Sequence, residues 1–107
     1  MKTSPLLFDS ERLKALRASL ERIPEVRRFD APGESQADTL AHAISDIEEA
    51  CREVTDEVLP RLVEELDSPG GVRDALGDLG EALAHILYHV HDAEYYRYVI
   101  DRGRDSP

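Results

Sequence analysis

The chain has 107 residues, enough for a single domain (1–107) with one core and too few for a cofactor domain beside a substrate domain. Its 41% apolar and 34% charged residues fit a globular chain rather than a disordered one. With 13 basic against 23 acidic residues the net charge is −10, which repels phosphate backbones and anionic lipid surfaces at long range. Neither nucleic acid nor a membrane is therefore an expected partner. Cys51 is the single cysteine and cannot form an internal disulfide, and the first residues hold only Leu6, Leu7 and Phe8 as an apolar run. A cytoplasmic protein is expected.

The charge is uneven. Residues 1–30 carry a balance of +2, residues 31–71 one of −9, and residues 72–107 one of −3. The middle segment is an acid pole, and the N-terminal part is a basic arm that can pack near it.

Leu13, Leu16, Leu20 and Ile23 recur at spacings of three and four, the stripe of an amphipathic helix from about Ser10 to Arg22. Asp9 or Ser10 can cap it, and Pro24 bars helical geometry at Ile23. Ala31-Pro32-Gly33 marks a connector, so 1–34 reads as a basic helix and its linker. Ser35 opens a longer pattern in which Leu40, Ile44, Ile47, Cys51, Val54, Val58, Leu62 and Leu66 form the expected buried seam of a helix over about 35–66, bent at Pro60. Asp67-Ser68-Pro69-Gly70-Gly71 reverses the chain.

A second seam follows in Val72, Leu76, Leu79, Leu83, Ile86, Val90 and Ala93, predicting a helix over about 72–102 with a break near His91, a fresh turn capped by Asp92, and a stop at Gly103. Gly77 and Gly80 weaken it unless another helix approaches closely there. The fold class is all-α: a long antiparallel hairpin over 35–103 plus a short N-terminal helix. One short helix does not cover seams of this length. A bent bundle or a homodimer of hairpins resolves this, and persistent heptads with short loops favour the homodimer.

Three of the four histidines and all four tyrosines fall between His85 and Tyr98. His85 and His89, one turn apart, can reach a single metal ion, with Asp92 or Glu81 as a third ligand. A register that sets Ala50 opposite His89 and Ala43 opposite Tyr96 instead makes the histidines packing groups, and no cofactor is expected. Tyr88, Tyr95 and Tyr98 fall on the outward side beside Arg97 and Arg102, a composition suited to protein binding. Asp46, Glu49, Glu53 and Asp56 share an acidic face. Without a recognisable active site, the expected function is that of a non-enzymatic module, such as an immunity protein, antitoxin-like inhibitor or adaptor. Its acidic face would dock a basic partner protein. The alternative is a metal-binding bundle on His85, His89 and Asp92.

Overall fold

Three short polar residues start three helices. In the computed structural model, which describes residues 6–105, Asp9 accepts the Arg12 amide at 2.9 Å to open α1 (Ser10–Glu21). Ile23 is held extended before Pro24, as steric clash with the proline ring requires, and Pro24 then opens a one-turn helix, α2 (Pro24–Arg27). Val26 on that turn is fully buried. Ala31 and Glu34 close a tight turn by reciprocal hydrogen bonds of 3.1 and 2.8 Å, with Pro32 in its first corner and Gly33 at φ +78° in its second, the dihedral that glycine tolerates without strain.

Ser35 accepts the Asp38 amide at 3.2 Å and opens α3 (Gln36–Glu53). Next comes a widened π turn, Val54–Val58, and then α4 (Leu59–Glu64). Pro60 accounts for the widening. It has no N–H to give the Asp56 carbonyl and its ring crowds that carbonyl, so the turn relaxes and the Leu59 amide bonds five residues back to Val54. Ser68 accepts the Gly71 amide at 3.3 Å, Pro69 takes the first helical position, and α5 (Pro69–Asp92) returns antiparallel to α3. Arg61 of α4 pairs with Asp78 of α5 across the hairpin.

The expected break comes two residues later than His91. Ala93, fully buried and extended at ψ 109°, separates α5 from α6 (Glu94–Asp105). Asp92 is the last residue of α5, and the α6 start is capped from elsewhere: the Gln36 Oε1 atom accepts the Tyr95 amide at 3.2 Å. Asp30 Oδ1 in turn accepts the Gln36 amide at 2.7 Å. Gly103 lies inside α6 without a positive φ, so the expected stop there does not occur.

Helix α3 is the centre of the bundle, with α1 and α5 as its main neighbours. At its N-terminal end, Val26, Ala37, Leu40 and Ala93 form the core, edged by Leu20, Tyr95 and Tyr96. Farther along, the α3–α5 interface is lined by alanines: Ala43 and Ala50 on one helix, Ala75 and Ala82 on the other, all buried. Small side chains let the two backbones approach.

Parts of the expected seam are not buried. Cys51 is exposed, and Leu66, Leu76 and Leu83 are 69%, 53% and 48% exposed. The residue taken up by the π turn shifts the register of α3 against α4 by one helical step, about 100°, and just upstream of it Ala50 is buried in place of Cys51. On α5 the buried line is Ala75, Ala82 and His89, one step round from the leucines. Gly77 and Gly80 are exposed, and a methyl group at either would meet open space. Among the described residues no helix approaches them, contrary to expectation. The radius of gyration is 17.1 Å, against about 13 Å for a compact chain of this length, and α1 packs mainly on α3 while α4 packs mainly on α5 and the π turn.

Candidate functional site

Two features of α3 and α5 stand apart from simple packing. The first is a cluster around His89, which is 6% exposed. Its Nε2 atom lies 2.9 Å from Asp46 Oδ2 on α3 and 3.0 Å from His85 Nε2 one turn back on α5. Its Nδ1 atom is buried and has no hydrogen-bond partner among the described residues. His42, mostly exposed, approaches Asp46 Oδ2 from one turn away on α3 at 3.3 Å. The rings of His85, Tyr88 and His42 surround that of His89 at centroid distances of 4.8, 5.3 and 6.0 Å.

The carboxylate expected beside the histidine pair was Asp92 or Glu81; the one in place is Asp46. Asp92 lines a cleft with Leu13, Lys14 and Asp38 instead. His89 thus meets Asp46 rather than Ala50, a displacement of one helical turn from the expected register. The signal that could have found Asp46 is its spacing of four from His42, which places both on one side of α3.

The acidic face is divided. Glu49, Glu53 and Asp56 are exposed, whereas Asp46 turns toward α5 and is half-buried. Glu48, absent from the expected set, holds the N-terminal arm, its Oε2 and Oε1 accepting the Leu7 and Phe8 amides at 2.6 and 3.1 Å. These hydrogen bonds, that from Leu7 foremost, hold its carboxyl below the ordinary 4.5, with Arg52 adding to the effect. Arg17 on α1 reaches Asp38 on α3 at 3.1 Å, so the basic arm does lie against the acid pole.

The tyrosines are divided as well. Tyr88 is 63% exposed. Tyr95 and Tyr96 pack against the core, and burial raises the Tyr96 hydroxyl above 10. Tyr98 stacks on Phe29 with ring centroids 5.4 Å apart and lies between Arg28 and Arg102, whose guanidinium carbons are 5.8 and 5.6 Å from its ring centre. A hydrogen bond from Arg102 lowers the Tyr98 hydroxyl below its ordinary value, with Arg28 adding to the effect. This clamp fastens α6 to the α2 turn.

The second feature is apolar. Leu59, Val63 and Leu66 at the α4 end of the hairpin, and Leu76, Leu83 and Leu87 on α5, are all between 44% and 69% exposed. On α5 the three leucines and Gly80 follow spacings of four, three and four, a strip without charge over three turns. Among the described residues no helix is long and apolar enough to cross a membrane. Comparison with protein-family models, with curated proteins and with solved structures finds no match to this chain.

Proposed function

We propose that this protein is a small acidic interaction module that pairs with a second copy of itself through the leucine strip of α5 and the adjoining end of α4, and docks a basic protein on its acidic face. The observation that carries the reading is the strip. Exposed apolar side chains scattered singly are ordinary, whereas Leu76, Leu83 and Leu87 line one face of α5, the arrangement of an interaction surface.

The occupant is a second copy on apolar grounds and against the net charge. Two chains of net charge −10 repel across most of their surfaces, and the strip lets them meet without opposing carboxylates. Gly80, where a methyl group would meet nothing within 4 Å among the described residues, would let a partner helix approach closely. Glu49, Glu53 and Asp56 remain in water on α3 and the π turn, positioned to steer a basic partner and raise its association rate. Exposed Tyr88 adds a rigid contact of the type that anchors interfaces. Inhibitors of the immunity or antitoxin type would use such a surface.

Sedimentation equilibrium tests the pairing. A dimer is expected at tens of micromolar, and Leu83→Glu is expected to convert it to a monomer with unchanged helicity, since Leu83 takes no part in the buried core. A wild-type monomer at 100 µM would remove the proposal.

A further inference from the structure

We propose that Asp46, His85 and His89 form a binding site for a divalent transition-metal ion of the zinc class. Three donors from two helices converge, all within 4.8 Å of one another. Two donors each about 2.1 Å from one ion stand about 3.0 Å apart at a right angle and about 3.4 Å apart at the tetrahedral angle. The Asp46–His89 and His85–His89 separations, 2.9 and 3.0 Å, are close to the first of these, and Asp46 and His85 stand farther apart, so the exposed His85 ring must turn inward for all three donors to reach one ion.

Proton accounting points the same way. His89 Nε2 faces a carboxylate oxygen and a second imidazole nitrogen, yet a neutral ring carries at most one hydrogen there. If that hydrogen is directed at Asp46, Nε2 has no lone pair left, and His85 Nε2 can only share the same hydrogen as an acceptor. If Nε2 carries a lone pair instead, it opposes the negative oxygen. A cation bound by all three donors would take a lone pair from each, and Asp46 would offset part of its charge. His89 is buried with its other nitrogen unpartnered, so Nε2 is the atom through which this ring can be bound.

The donor set selects the ion. Two imidazoles with one carboxylate favour zinc, cobalt or iron(II) over magnesium or calcium, which prefer all-oxygen shells. Exposed His85 borders solvent, so the remaining coordination positions are open to water or to the adjacent His42. The helix pair that holds the donors is the most extensive in the fold, and its alanine packing limits how far the two backbones can shift.

The test uses the untagged full-length chain, stripped with chelator and titrated with Co²⁺ by visible absorption, then with Zn²⁺ by competition. One ion per chain is expected, unaffected by excess Mg²⁺, with a melting temperature that rises with Zn²⁺ because only the folded state assembles the site. His89→Ala would open the core, so the informative variants are His85→Ala and Asp46→Asn, at exposed and half-buried positions, with the fold checked by circular dichroism. Each is expected to weaken Co²⁺ binding at least tenfold while keeping wild-type helicity. Absence of stoichiometric binding, or binding that both variants retain, would overturn the proposal. Leu83→Glu, which disrupts the proposed pairing, is expected to keep the metal, so the two readings can fail separately.

Discussion

Replacing Gly77 by alanine should stabilise this protein, and replacing Gly71 should not. Both residues lie in α5 with ordinary helical backbone, so an alanine at either gains the same intrinsic helix preference, about 1 kcal/mol. They differ in what a methyl group would meet. At Gly77 nothing lies within 4 Å, and the full gain is realised. At Gly71 the methyl would come within 2.9 Å of the Glu65 Cβ atom and closer still to its carboxylate, so the turn that precedes Ser68 must give way. Displacing Glu65 there offsets most or all of the gain. For a small domain that loses about 1–3 kcal/mol of stability per molar urea, the Gly77→Ala midpoint should rise by roughly 0.3–1 M. The Gly71→Ala midpoint should stay level or fall. Urea unfolding followed by circular dichroism at one fixed protein concentration measures both, since association would otherwise contribute to the comparison. If Gly77→Ala lowered the midpoint, another element would have to approach that face of α5, and the packing described for the hairpin would be wrong.

Two further outcomes follow from single contacts. Because hydrogen bonds from Leu7 and Phe8 depress the Glu48 carboxyl in the folded state, docking of the N-terminal arm is complete above the ordinary value of 4.5 and is lost as pH falls through the lower folded-state value. The Leu7 and Phe8 amide resonances should therefore titrate together with a midpoint under 4.5 and stop titrating in Glu48→Ala; a midpoint above 4.5 would contradict the assignment. Gln36→Leu removes a buried acceptor and leaves the Tyr95 amide unpaired at the start of α6, a loss of about 1–3 kcal/mol. Hydrogen exchange at the Tyr95 amide should accelerate in that variant, and unchanged protection would place the cap elsewhere.

The local features of this chain were legible because their causes span four residues or fewer. Asp9, Ser35 and Ser68 each cap an amide three residues ahead, and Pro69 stands at a helix start, whereas Pro24, expected only to end the first helix, also opens the one-turn α2. Pro32 and Gly33 supply the two corners of one turn. From these alone the all-α class, the hairpin and most helix ends follow. The candidate site was legible in part: the spacing of His85 and His89 marks a pair, but nothing near them in the chain names their carboxylate.

That partner depends on register between helices far apart in sequence. The apolar arc of α5 is wide enough to bury either its leucines or its alanine and histidine line. Composition does not choose between them; close backbone approach across Ala43, Ala50, Ala75 and Ala82 does. The proline bend was foreseen at Pro60, but the extra residue that its widened turn takes up was not, and one residue rotates a helix by about 100°. That rotation accompanies the exposure of Cys51, and in the assembled bundle Asp46 meets His89 while Glu49, Glu53 and Asp56 stay in water. Likewise the side chain that caps α6 comes from Gln36, 59 positions away, so the break at Ala93 was visible as a tendency and became definite only once α3 and α6 met.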